Sequence, residues 1–240
     1  MRPERTLLRS DQLFGSMGDA RLQLRQMSRR PYLQPDWSRP RPTREDALWM
    51  CERIELTPVE IKSAAAEAVL QRLKRNLANG GAFLAAVRFG PDTVFDCFAS
   101  RNWLLREEMI ARLLCREEIR QLLAAVQVPP IDDSERCVSA LKSLTDNFEK
   151  DSPYIFLAKL AWLLDDGGAY TTPSDDGRAA AELAFDFCKE VFDHRYAEVE
   201  CFANHHAWTP WFFDVAWDWT VVLFDLRERL MWILVSTDTD

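Results

Sequence analysis

At 240 residues, with 48% hydrophobic and 28% charged side chains, the chain has the composition of a globular protein with a sizeable core, not of a disordered or membrane-embedded one. No apolar run approaches the roughly 20 residues that span a bilayer, and Met1 to Ser10 lacks the apolar stretch of a secretory signal, so a cytoplasmic protein is expected. The net charge of −8 conceals a split: residues 1–44 carry ten arginines against four acids, while residues 45–240 carry 20 basic and 34 acidic side chains, a body that repels nucleic-acid backbones and suits a basic protein partner.

In chain order, residues 1–44 form an arginine- and proline-rich segment. Pro31, Pro35, Pro40 and Pro42 interleave with Arg29, Arg30, Arg39, Arg41 and Arg44, and no helical or strand period survives. Such a segment buries too little apolar surface to offset its ordering entropy, so it is expected to be flexible. Nucleic acid is expected as a partner only through these arginines. Residues 45–240 read as one α+β domain, helical over 57–193 and β-rich over 197–240.

Thr57-Pro58-Val59-Glu60 offers a cap, a proline at the first helical position and a glutamate three residues after the cap. Ile61, Ala65, Val69, Leu73 and Leu77 then recur every four residues up to a stop at Asn79-Gly80-Gly81. Phe83–Phe89 and Thr93–Phe98 read as two strands about the turn Gly90-Pro91-Asp92. Helix returns over Trp103–Val126, then after Asp133 or Ser134 through Phe148, from Ser152-Pro153 to Leu164, and over Ala180–Val191, giving about five helices. The doubled acids at 132–133, 165–166 and 175–176 fall at helix boundaries, where they cap or solvate. Val199, Cys201 and Ala203 alternate with Glu198 and Glu200 as in a half-buried strand. Val215–Phe224 and Leu230–Ser236 are apolar on both faces and form a C-terminal hairpin near the centre of a small, mainly antiparallel sheet.

Cys51, Cys97, Cys115, Cys137, Cys188 and Cys201 are scattered without ligand spacing and read as buried, reduced thiols; no metal and no cofactor is expected. No nucleotide loop, nucleophile elbow or metalloprotease motif occurs. The conspicuous region is 205–232, where five of the nine tryptophans follow the pair His205-His206. Tryptophan at this density marks a core corner or a binding face. Asp214 and Asp218, if extended, share a face about 13 Å apart, too far for paired acid–base work. Trp208, Trp211, Asp214, Asp218, His205 and His206 are therefore the candidate binding residues, with Trp219 and Trp232 assigned to core. Asp225 opens a turn, or gathers with Asp238 and Asp240 in an acidic patch.

The function these features favour is an acidic cytosolic protein-binding module, of the type of a bacterial immunity or antitoxin protein that blocks a basic partner. Two alternatives stand beside it. One is a small hydrolase-like enzyme with a His/Asp site near 205–218, with or without a metal. The other is a structural subunit that forms a homodimer or larger homo-oligomer through its Trp-rich face.

Overall fold

A computed structural model of the chain describes residues 33–77, 79–166, 168–169 and 177–239. A compact unit runs from Leu33 to Asp240. Among the described residues it holds eight α-helices and one six-stranded antiparallel sheet, an α+β fold. The helices are α1 (Arg44–Arg53), α2 (Ala64–Asn76), α3 (Thr93–Ala99), α4 (Met109–Leu114), α5 (Glu117–Leu122), α6 (Glu135–Asn147), α7 (Pro153–Asp166) and α8 (Gly177–Phe192). The strands are β1 (Leu56–Pro58), β2 (Gly81–Phe89), β3 (Glu149–Asp151), β4 (Val199–Asn204), β5 (Trp219–Asp225) and β6 (Leu230–Thr237), in the spatial order β1-β2-β6-β5-β4-β3.

The C-terminal hairpin β5–β6 occupies the middle of the sheet, and every residue of both strands is buried. Helices cover both faces. On one face α2, α7 and α8 bury Ala65, Val69, Leu73, Phe156, Leu160, Ala184, Phe187 and Val191 against Ala82, Ala86, Cys201, Ala203, Val221, Trp219 and Trp232. Alanine and cysteine on β2 and β4 let the helices approach closely. On the other face Phe95 of α3 packs on Phe89 and Phe224, and α5 adjoins β1 and β2. Each fully buried aromatic or leucine contributes about 1.5–3 kcal/mol. The two edge strands are three residues long; one carries Pro58 and the other is Glu149-Lys150-Asp151, which discourages pairing with a second chain.

Local chemistry explains where these elements differ from the sequence expectations. Helix α2 begins at Ala64, not at Pro58: Ser63 caps it, its hydroxyl accepting from the Ala66 N–H and donating to Glu190 Oε2. Thr57-Pro58 instead forms edge strand β1, where a missing N–H costs nothing. Thr93–Phe98 is helix rather than strand, because Asp92 Oδ1 accepts from the N–H groups of Val94 and Phe95. Trp103–Val126 breaks into α4, α5 and two 3-10 turns, with left-handed backbone at Asn102, Glu107 and Glu108. Thr43 and Asp46 form a reciprocal capping box that opens α1. Glu200, expected on a solvent face, is buried on β4 against Lys150 Nζ at 3.0 Å; burial raises its carboxyl pKa while the lysine opposes the shift.

Asp225 does open the turn, accepting from the N–H groups of Arg227 and Glu228. It lies at the opposite end of the hairpin from Asp238, so no shared patch forms; Asp240 and the pair at 175–176 are outside the described residues. Within the arginine-rich segment, residues 1–32 also lie outside them, but residues 33–43 rest against the body, with the Gln34 N–H donating to Asp96 Oδ2 at 2.8 Å. All six cysteines are buried and free, and burial pushes the thiols of Cys51, Cys115 and Cys188 up to about 12.

The position of the α2 cap is testable by denaturant unfolding. Ser63→Ala is expected to cost about 1 kcal/mol, as loss of an N-cap does, whereas Thr57→Ala on the exposed edge strand is expected to change stability by less than about 0.5 kcal/mol. The reverse order would restore the helix start to Thr57.

Candidate functional site

The segment 205–218 is a loop, and its sequence dictates a fixed shape. At its start Asn204 Oδ1 accepts from the His206 N–H at 2.8 Å. Ser143 of α6 donates to the Ala207 carbonyl at 3.0 Å, and Thr209 donates to the Val126 carbonyl at 2.7 Å. At its end Asp218 is fully buried. Its carboxylate accepts from the N–H groups of Phe213, Asp214 and Val215, at 3.5, 2.6 and 3.2 Å, and from the Thr237 hydroxyl. Asp214 takes a left-handed backbone (φ 60°) to close this turn. The strand expected over Val215–Phe224 therefore starts only at Trp219, and Asp214 and Asp218 do not share an extended face but meet within one tight turn.

This loop faces α7 across a groove with two halves. The apolar half, about 220 Å³, is bounded by Trp162 and Leu163 of α7, Ala216 and Trp217 of the loop, and Trp219. The polar half, about 190 Å³, is bounded by Asn147, Glu149, Lys150, Asp151 and His206. Lys159 and His205 line both halves and join them. Lys159 Nζ lies 3.0 Å from Asp151 Oδ2, tying α7 to edge strand β3. Burial and the Lys159 charge both hold the His205 imidazole pKa below its ordinary 6.5, against a hydrogen bond to the Asp218 backbone and the charge of Asp151.

Helix α7 carries a single charge, Lys159, between Pro153 and Leu164. Its inner face packs into the core, yet its outer face presents Ile155, Ala158 and Trp162 at helical spacing, with Trp162 54% exposed. A surface helix that is apolar on its solvent side is the signature of an unfilled contact. Trp219, at the floor of the groove, has a buried indole N–H with no acceptor among the described residues.

Of the six candidate residues, His205 and His206 line the groove. Trp211 is half-buried edge-on to Phe83, 5.6 Å away, and Asp214 is exposed, accepting weakly from the Ala207 N–H at 3.5 Å. Trp208 and Asp218 are interior: the Trp208 indole N–H donates to Thr220 Oγ1 at 2.9 Å, so both shape the loop from within. Trp162, Lys159 and Asp151 are not singled out by the sequence, and Trp217 belongs to the tryptophan-rich stretch but not to the six candidates. Only the all-round apolarity of 153–164 signalled the first of them. No hydroxyl or thiol lines either half of the groove, and among the described residues no cluster of three histidine, cysteine or acidic side chains is placed to hold a metal.

The His205 environment predicts a pH response. A histidine whose folded-state pKa is held below 6.5 contributes stability that is lost as the pH falls from about 6.5 through the folded-state pKa. In an NMR titration the His205 midpoint should fall below 6.5 and move upward in Lys159→Met. A parent midpoint above 6.5, or one unmoved by that substitution, would contradict the assigned environment.

No protein-family model matches the chain, and no curated protein matches it. A crystal structure of citrus MAF1 is similar over 72% of this chain and 99% of its own, at 14% identity and a TM-score of 0.36. Likeness at that score carries no argument about fold or activity.

Proposed function

We propose that the chain is a protein-binding module that grips a basic segment of a partner protein in the groove between α7 and the loop 205–218. The observation that carries this reading is that exposed Trp162 and half-buried Trp217 bound one preformed apolar cleft. Both lysines at the groove are already matched, Lys150 by Glu200 and Lys159 by Asp151. Among the described residues Glu149 and Asp214 are paired with no cation, and residues 45–240 as a whole are strongly acidic. Aromatic anchors next to a polar half that holds the unmatched Glu149 suit an aromatic or aliphatic side chain beside a lysine or arginine. The hydrogen-bonded loop is rigid before binding, which lowers the ordering cost of association.

An immunity or antitoxin role is the specific form of this reading in which occupancy also blocks the partner's activity. An acidic body covering a cationic toxin cleft is the chemistry that role needs.

The test is capture by the immobilised full chain, compared with Trp162→Ala, Trp217→Ala and, as an exposed-tryptophan control, Trp49→Ala. A basic protein retained by the parent and by Trp49→Ala should bind the two groove variants at least about tenfold more weakly, the usual cost of truncating an aromatic anchor. Equal retention by all four would remove the groove from the interface. Sedimentation of the parent as a dimer that Trp162→Ala dissociates would replace the foreign partner with a second copy. Inhibition of the captured protein's activity by the parent chain alone would establish the blocking role.

A further inference from the structure

Away from the groove, three arginines converge on one indole. The guanidinium carbons of Arg41, Arg106 and Arg101 lie 4.1, 4.3 and 4.9 Å from the Trp103 ring centroid. Arg101 lies also 4.8 Å from the ring of Trp37, which is 60% exposed. Arg41 and Trp37 come from the strap 33–43, whereas Arg101 and Arg106 follow α3, so the fold assembles the cluster from segments some 60 positions apart. The strap is held at both ends. The Gln34 N–H is bound by Asp96, which Arg229 Nη2 also contacts at 2.5 Å, and Thr43 caps α1.

The charge balance of this cluster is unusual. Arg39 pairs with Asp36, and Arg44 with Glu107 and Glu108. Among the described residues no carboxylate pairs with Arg41, Arg101 or Arg106. A cleft of about 320 Å³ opens here, bounded by Trp37, Arg41 and Arg101. Asp36 and Asp46 also border it; Asp36 accepts from Ser38 through Oδ1 and pairs with Arg39 through Oδ2, and Asp46 Oδ2 accepts from Thr43 in the cap of α1. Stacking on the indoles holds three like charges together that would otherwise repel, and leaves their N–H edges available.

We propose that this arginine–tryptophan cluster binds single-stranded nucleic acid, the three guanidinium groups meeting phosphates and Trp37 offering a stacking surface for a base. Guanidinium forks match phosphate oxygens in a bidentate way. An exposed indole beside them favours a ligand that carries flat rings as well as charge, which a nucleic acid does and an acidic peptide does not. The arrangement confines a positive face to one part of an otherwise acidic protein, so binding should be sensitive to salt and indifferent to sequence.

The test is fluorescence anisotropy of a labelled deoxythymidine oligomer, about 20 nucleotides long, titrated with the full chain over a series of salt concentrations. The parent should bind with an affinity that falls linearly in log–log form with salt. Arg41→Gln with Arg101→Gln should weaken binding at least about tenfold and reduce the magnitude of the slope by about 1.4, the release expected for two phosphate contacts on a single strand. Trp37→Ala should weaken binding with little change in slope, which separates stacking from charge. Circular dichroism of each variant checks that these exposed substitutions leave the fold intact. Binding by the double arginine variant equal to the parent would place any polyanion elsewhere and overturn the proposal. Displacement of the oligomer by an equal charge of polyglutamate would show that negative charge alone is read, and would make an acidic protein the ligand instead.

Discussion

One buried carboxylate organises the functional end of this molecule. Asp218 stands where the loop 205–218 enters the central strand β5, fully removed from solvent, and no cation among the described residues neutralises it. Burying a charge without a counter-ion is tolerated only when dipoles replace the lost water. Three backbone N–H groups and the Thr237 hydroxyl do so here. Next to it at the end of β6, Asp238 repeats the device, accepting from the N–H groups of Asn79 and Ala169. Together the two aspartates lock the loop, the hairpin and the connection from α2 into one arrangement. Gly80 belongs to the same junction. A Cβ there would lie 1.9 Å from the Thr237 carbonyl oxygen, so only glycine permits the approach.

The groove depends on this lock. Ala216 and Trp217 form its far wall because Asp218 curls the preceding residues into a turn, and its near wall is an α7 face left apolar. A ligand entering such a site orders little that is not already ordered. The same layout separates two kinds of charge. Among the described residues Glu149, which no cation pairs, borders the groove, while Arg41, Arg101 and Arg106, which no carboxylate pairs, gather on the strap 33–43 and the segment after α3. The overall charge of −8 averages over both and describes neither.

How far this was legible in the sequence depended on whether local or tertiary forces set each element. Helices α6, α7 and α8 follow their apolar periodicity and have an ordinary cap at Ser134 or a proline at Pro153, and the apolar runs of β5 and β6 announce a buried hairpin. Thr57-Pro58 misled because a helix-opening dipeptide is also tolerated at a sheet edge, and only the pairing with β2 decides between them. Thr93–Phe98 has strand-like residues, but Asp92 holds its first amides and the local cap overrides propensity. The tryptophan-rich stretch stood out in the sequence by composition. Its division into inward Trp208 and Asp218 and outward Trp217 was not, because a loop without period gives no rule for which way a side chain points. Trp162 was hidden for the opposite reason: its helix reads so plainly as core that an exposed apolar face on it goes unnoticed.

The central claim is that the Asp218 carboxylate holds the loop in its groove-forming shape, and amide hydrogen exchange measures this most directly. In the parent chain the amides of Asp214 and Val215 should be protected despite lying in a loop. In Asp218→Asn, which removes the charge while keeping the size, their exchange should accelerate by roughly tenfold to a hundredfold, the range for losing about 1.5–3 kcal/mol of charge-assisted hydrogen bonding. The β5–β6 ladder should keep its protection. Unchanged exchange at Asp214 and Val215, or no protection of them in the parent, would show that the loop is held by other means and that Asp218 is not its keystone.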